Sequence, residues 1–464
     1  MLNEFINFEA LNIALAYPFI FLIIIAIILL FCSAFYKLHR SFYISISILS
    51  LIFSFFLILS NMSMQGIEAK AFLDTLRSDI VSFYASCIIL FFSFLYLLMD
   101  REKNKSEFYP LFLFMVSSLL LMVSSSNLIL IFIALEGSSL ALYTLIAMRG
   151  TQNAISSSIK YFSVAAVGAG FFTLACALFY MKTGSLDLNS TLALKNEFQK
   201  DPLFLSIGVI IFILCAIKLS LIPFHFWLKD VYYAAHTNLV AFISVVPKVA
   251  ILVVILRIFN FMSNLGFEYI IMIIAVFSMI LAAISSLSQQ NIKKMLAYSS
   301  VVHSSFVLCA LIPLLRYNQE DFSLSLIPIF GYWVLFAFAN YAIFLILSLL
   351  KKSSYEDLQG ILTKRPLIAI CLGICVLSLA GIPPFGVFWG KVMILKSIIE
   401  NGYGYLALFI ALSSMIMLYA YIKIIINAFF IKKDKIYITK LNFRQNLVLI
   451  LCIGVNILAL FFML

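Results

Sequence analysis

The sequence predicts an all-α polytopic membrane protein with about 14 transmembrane helices, at about 20 residues per span. Three observations carry that prediction. Hydrophobic residues make up 64% of the 464-residue chain. Only 11% of residues are charged, against roughly 25% in soluble domains. The apolar residues fall in continuous runs, which excludes the alternating strands of a membrane β-barrel, about 10 residues each. A mean hydropathy of +1.13 excludes a soluble globule. The net charge of +11 makes no nucleic-acid face, because the positive residues sit in short loops between apolar runs.

The runs lie at roughly 13–36, 41–60, 80–99, 110–126, 127–148, 155–181, 203–228, 236–259, 267–287, 295–315, 326–350, 367–398, 403–430 and 444–463. The first has no Lys or Arg before Lys37 and is led by Glu4 and Glu9, so it reads as a retained span, not a signal peptide. Charged residues mark the breaks after odd-numbered spans: Lys37 and Arg40, Arg101, Arg149, Lys229, Lys293 and Lys294, Lys351 and Lys352, then Lys432 and Lys433. The even-numbered breaks carry fewer, among them Lys70 and Arg77, Lys182, Lys195 and Lys200, Arg257, Arg316 and Lys396. Spans four and five are divided only by Ser124–Asn127. Of 31 basic residues, 18 fall in odd loops, 8 in even loops and 5 inside spans. This bias puts the odd loops in the cytoplasm and both termini outside.

Spans seven and twelve are each interrupted by proline. Leu-Ser-Leu-Ile-Pro-Phe-His-Phe-Trp at 219–227 echoes Leu-Ser-Leu-Ala-Gly-Ile-Pro-Pro-Phe-Gly-Val-Phe-Trp at 377–389. The two segments lie an odd number of spans apart and so run in opposite directions. Inverted repeats with broken helices are a transporter signature. The expected organisation is helices 1–3 over 1–109, a first five-helix repeat over 110–259, an inverted second repeat over 260–430, and a last helix over 431–464. The eight cysteines all lie in apolar runs, form no Cys-x-x-Cys, and read as small buried hydrophobes.

Charges at bilayer depth cost at least about 2.5–3.5 kcal/mol on insertion scales and need a reason to be there. Glu136 sits near the centre of span five, Lys218 and Lys248 near the centres of spans seven and eight, and His303 near the centre of span ten. Lys391 follows the break in span twelve, beyond its midpoint, which suits an outward exit. Burial and a nearby carboxylate act in opposite directions on a lysine's hold on its proton. Moving Glu136 relative to Lys218 would therefore load or unload that amine. An unperturbed imidazole titrates near neutral pH, so His303 can relay. Such groups, with waters held by the polar backbone of a broken helix, make a lateral proton path. Other readings stand beside this one. A single Glu–Lys pair can be a structural bridge, Lys160 and Lys423 can snorkel to the cytoplasmic surface, and His225 can cap a broken helix. His39 and His236 read as interfacial.

At these residues the chain resembles the antiporter-like membrane subunits of respiratory complex I. The resemblance covers nearly the whole chain and rests on the segment around Glu136, on 217–227, on 288–303 and on 377–391. It implies that Glu136 pairs with Lys218, that Lys248 is the central relay, that Lys391 leads toward the periplasm, and that His303 and His225 lie on or near this axis. It also gives Lys160 a matching family lysine. Lys391 stands where one sister type carries glutamate, and no long lateral helix follows the last span, which narrows the type. One segment departs from the family: an Ala234–Leu239 stretch replaces a Gly-Ala-Pro-x-Pro-Val-like turn, and Pro247 directly precedes Lys248. The shape of span eight is thus open.

The resemblance implies outward proton movement coupled to quinone reduction by partner subunits, within a translocase of the bacterial inner membrane. No haem, iron–sulfur, flavin or nucleotide motif is present, so no cofactor is expected in this chain; quinone, FMN and iron–sulfur clusters are expected in partners. NADH is the family's default electron donor. The expected partners are other complex I membrane subunits and the lipid bilayer, not nucleic acid. A subunit of a multi-subunit sodium/proton antiporter is the alternative, since it shares the same core.

Overall fold

The computed structural model describes residues 11–66, 68–101, 104–188, 201–262, 266–315, 322–433 and 437–463. Glu4 and Glu9, which lead the first run, and Lys103, Lys195, Lys200, Arg316 and Lys435, which are among the basic loop residues that set the orientation, lie outside these residues. Each apolar run holds a helix. They are α1 (Tyr17–Phe35), α2 (Arg40–Gln65), α3 (Ile80–Met99), α4 (Phe108–Ser124), α5 (Leu128–Ala147) and α6 (Gln152–Thr183). Then come α7 (Pro202–Leu219), α8 (Phe226–Ala234), α9 (Thr237–Met262), α10 (Phe267–Leu287) and α11 (Ile292–Leu311). The last are α12 (Phe322–Leu347), α13 (Pro366–Ala380), α14 (Gly386–Glu400), α15 (Gly404–Phe429) and α16 (Phe443–Met463). Among the described residues, 12 helices are long and apolar enough to cross a membrane, and α4 and α13 are shorter apolar helices.

Local chemistry sets the boundaries. The weak division between spans four and five is a true break: Ser125 and Asn127 are extended, and the Asn127 side chain accepts from the Ile129 N–H at 2.9 Å as the cap of α5. Asn291 caps α11 in the same way, accepting from the N–H groups of Lys293 and Lys294. His39 caps α2 from an exposed position, as an interfacial residue would. Spans seven and twelve are broken where the prolines predicted, with Ser220–His225 between α7 and α8, and Gly381–Phe385 between α13 and α14. Span eight is intact: α9 runs continuously through Pro247. One element was not expected. A short antiparallel hairpin, β1 (Ala69–Ala71) with β2 (Leu76–Ser78), fills the polar link between α2 and α3.

The chain divides into two compact units. The first comprises Met1–Leu97, Glu102–Lys218 and Val249–Phe267; the second comprises Leu98–Arg101, Leu219–Lys248 and Glu268–Leu464. In the first, α4 packs on α1 and α5, and α5 packs on α6. Gly137 lets α5 approach α4, since a Cβ there would sit 2.9 Å from Ser118 Oγ. A partly buried ion-pair network joins Arg77, Asp79 and Arg257 at the ends of α3 and α9. In the second unit, α12 packs against α13, α14 and α16, while α11 packs against α8, α12, α14 and α15. Of the 12 membrane-length helices, α11 has the lowest hydropathy, yet it is almost wholly buried. Its serines and His303 therefore face protein, not lipid.

The cysteines only partly follow expectation. Cys215, Cys309, Cys375 and Cys452 are buried, but Cys32, Cys87, Cys176 and Cys371 are half-buried. An apolar run in a membrane chain has a lipid face as well as a packed one, and sequence does not separate the two.

Candidate functional site

In the first unit, Lys218 is the penultimate residue of α7, in the last turn before the break. The carbonyl end of a helix favours a cation. Lys218 is 8% exposed, and its amine donates to Ser139 Oγ at 2.6 Å and lies 3.4 Å from Tyr143 Oη. It also stands over the rings of Tyr143 and Tyr161, at 5.7 and 5.2 Å. Ser139 is one turn beyond Glu136 on the same face of α5.

Glu136 does not form the expected direct pair. No ion pair within 4.0 Å joins it to Lys218, and its half-buried carboxylate has an oxygen, Oε1, buried without a hydrogen-bond partner. Ser139 takes the place next to the amine instead. Lys160 is exposed on α6, while its neighbour Tyr161 is the residue that meets Lys218.

In the second unit, Lys248 on α9 is 2% exposed. Its three N–H donors meet three acceptors, all from α11: Ser300 Oγ at 2.7 Å, Ser304 Oγ at 2.9 Å and the Ser300 carbonyl at 3.2 Å. Lys391 on α14 reaches back across the break. It donates to the carbonyls of Ala380 at 3.0 Å and Leu379 at 3.4 Å, and to Ser414 Oγ at 3.3 Å. These are end-of-helix carbonyls of α13, the acceptors a helix C-terminus leaves unpaired. Gly381 makes this possible. Its φ of +82° turns the chain out of α13, and a Cβ there would lie 2.7 Å from the Lys391 amine. Lys391 also stands 5.6 Å from the centre of the Phe306 ring.

His303 is 1% exposed. Its Nδ1 bonds to the Tyr332 hydroxyl and its Nε2 to the Tyr421 hydroxyl at 3.0 Å. His225 takes the N-cap position of α8, but its side chain makes no capping hydrogen bond, and its Nδ1 is buried without a partner. Lys423 is half-buried with its amine 4.4 Å from the centre of the Tyr355 ring. Lys293, expected in a loop, is instead 4% exposed and donates to the carbonyls of Ala235 at 2.7 Å and Tyr233 at 3.3 Å, at the end of α8.

Sequence reasoning missed the hydroxyl groups: Ser139, Ser300, Ser304, Ser414, Tyr332 and Tyr421. Serine is frequent in this chain, and only its position beside a buried amine or imidazole distinguishes these from the rest. Lys218, Lys248 and Lys391 form no ion pair within 4.0 Å among the described residues; neutral oxygens hold all three.

A family model described as NADH:quinone oxidoreductase/Mrp antiporter, TM, matches residues 125–428. The chain is 69% identical over 464 residues to the NADH-quinone oxidoreductase subunit N of Campylobacter jejuni (strain RM1221), covering 100% of both chains. The chain belongs to the NADH-quinone oxidoreductase subunit N family. The corresponding subunit N of Campylobacter lari (strain RM2100) is 50% identical over 463 residues, with 99% of each chain covered. The fold is that of solved membrane complexes. A chain of respiratory complex I from Thermus thermophilus superposes with a TM-score of 0.82 at 24% identity, covering 95% of this chain and 97% of that one. A chain of the Mrp complex from Dietzia sp. DQ12-45-1b superposes with a TM-score of 0.79 at 16% identity, covering 92% and 81%. Membership in the subunit N family makes this chain a multi-pass membrane subunit of an oxidoreductase complex. All four regions that carried the resemblance, from Glu136 to Lys391, fall within the matched 125–428.

Proposed function

We propose that this chain is the proton-translocating, antiporter-like subunit of a respiratory complex I, moving protons outward while partner subunits reduce quinone. Glu136 and Lys218 serve in the first unit; Lys248, His303 and Lys391 serve in the second, with Lys391 nearest the outer side. Lys160 and His225 are accessory candidates. The helices form two inverted five-helix repeats, 110–259 and 260–430, in a bacterial inner membrane with both termini outside. The chain carries no redox cofactor. Moving one charge against 100 mV costs about 2.3 kcal/mol, so the partners that hold FMN, iron–sulfur clusters and quinone supply the energy.

The setting of Lys248 carries this reading. A carboxylate partner would lock an amine in its protonated form, because deprotonation would leave a buried unpaired charge. A serine hydroxyl both donates and accepts. Ser300 can therefore accept from the protonated Lys248 amine or donate to the neutral one, while Ser304, whose own proton goes to the Ser300 carbonyl, accepts from the amine in either state; this is what a relay requires.

The second reading is a subunit of a sodium/proton antiporter, favoured by the likeness of fold to the Mrp complex. Gentle solubilisation from the native membrane, followed by identification of the co-purifying chains, separates the two. Quinone-reducing iron–sulfur subunits are expected; purification with only other antiporter-type membrane subunits would favour sodium/proton exchange.

A smaller test addresses the first unit. Ser139→Ala deprives the Lys218 amine of its closest acceptor, so proton translocation should fall roughly fivefold or more, from the cost of an unsatisfied buried donor. Dye-quenching assays on membrane vesicles report it. Wild-type translocation with the variant fully assembled would remove Ser139 from the path.

A further inference from the structure

His303 sits among aromatic rings of the second unit, with centroids 4.5 Å from Phe336, 5.8 Å from Phe306 and 5.9 Å from Tyr332. Both of its nitrogens meet tyrosine hydroxyls. The Tyr421 hydroxyl has a further partner, Ser299 Oγ at 2.5 Å. The Tyr332 hydroxyl has only His303 among the described residues, and Tyr332 is completely buried.

This asymmetry sets a direction. A tyrosine hydroxyl carries one proton, and a neutral imidazole carries one. Were Tyr332 to accept from an Nδ1–H, its own O–H would be left buried and unpaired, which is costly. Tyr332 therefore donates to Nδ1, and the ring proton of neutral His303 resides on Nε2. The Nε2–H then donates to Tyr421, whose own proton points to Ser299. Four groups thus share one hydrogen-bond direction. The ring of Tyr332 is itself fixed by close contact with α14. A Cβ on Gly390 would lie 2.9 Å from Tyr332 Cδ2 and 3.0 Å from its Cα, so only glycine lets the two helices meet there. Gly390 is also the residue before Lys391.

We propose that Tyr332 is a positioning residue of the proton path: its hydroxyl selects the Nε2–H tautomer of His303 and so the direction in which the histidine hands on a proton, and Gly390 seats Tyr332 for that task. The proposal rests on His303 being a proton relay, and the test separates the two ideas.

The experiment uses the assembled complex in native membranes and measures protons moved per quinone reduced for His303→Gln, Tyr332→Phe and the double variant, with the subunit's level in the complex measured alongside. Tyr332→Phe keeps the ring and removes only the hydroxyl. The ratio should fall roughly threefold or more in Tyr332→Phe through the unpaired imidazole nitrogen. The double variant should be no worse than His303→Gln alone, because the two residues act as one unit. A wild-type ratio in Tyr332→Phe, with His303→Gln impaired, overturns the role of Tyr332 and leaves the relay standing. A wild-type ratio in His303→Gln overturns the relay, and the proposal with it. Losses that simply add in the double variant place Tyr332 outside the His303 unit and also overturn the proposal. If Tyr332→Phe does not assemble, Gly390→Ala replaces it in the same cycle, since it displaces Tyr332 without removing the hydroxyl; the same outcomes then decide.

Discussion

Replacing Lys248 with methionine should stop proton movement through an otherwise intact subunit. Methionine matches the length of the lysine stem and lacks the amine that Ser300 and Ser304 hold at 2.7 and 2.9 Å. A positioned proton-transfer group contributes on the order of 10²-fold or more, so translocation should fall by at least about that factor. Assembly should not suffer, because removing a charge at this depth relieves an insertion cost of about 2.5–3.5 kcal/mol. Ser304 also keeps a bond of its own, donating to the Ser300 carbonyl at 2.7 Å. Proton-gradient formation in vesicles, normalised to subunit content, measures the effect. Wild-type translocation by fully assembled Lys248→Met would end the relay role of this lysine.

Gly381→Ala should damage both stability and transport. The residue has φ of +82°, a conformation that costs an L side chain about 1–2 kcal/mol. The added methyl would also approach the Lys391 amine to 2.7 Å and its Cδ to 2.9 Å. The lysine end can swing away, but only by leaving the carbonyls of Leu379 and Ala380. Thermal melting of the solubilised complex should shift downward. Transport should fall together with that of Lys391→Ala, and the double variant should lose little more than the worse single variant. Unchanged melting and unchanged transport would show that the break tolerates a side chain and that the carbonyl seat of Lys391 is dispensable.

The contrast between Lys218 and Glu136 shows where reading a sequence stops. Both residues stand out because a charge inside an apolar run has no other explanation at hand, and the structure places both in the first unit, near Ser139. Their direct pairing could not be read, because it depends on how far apart α5 and α7 lie, and Ser139 stands where the carboxylate was expected. Pro247 gives the reverse case. A proline inside a helix ordinarily breaks or kinks it, but in α9 the helix continues through it. Lys293 reads as a loop residue because it falls in the break between the apolar runs 267–287 and 295–315, and only packing against the end of α8 reveals it as buried.

The sequence by itself determined the membrane class, the succession of apolar helices, the two proline breaks and the identity of the charged groups at depth. Each of these follows from local composition: a bilayer demands long apolar runs with satisfied backbones, and it penalises every charge within them. Tertiary structure alone decided which neutral oxygen holds each charge. Ser300 and Ser304 reach Lys248 from 52 and 56 residues away, and Tyr421 reaches His303 from 118. A serine or tyrosine in an apolar helix has the same local pattern whether it faces lipid, a methyl group or an amine. Its partner is set by helix packing, which brings residues distant in the chain within hydrogen-bonding reach.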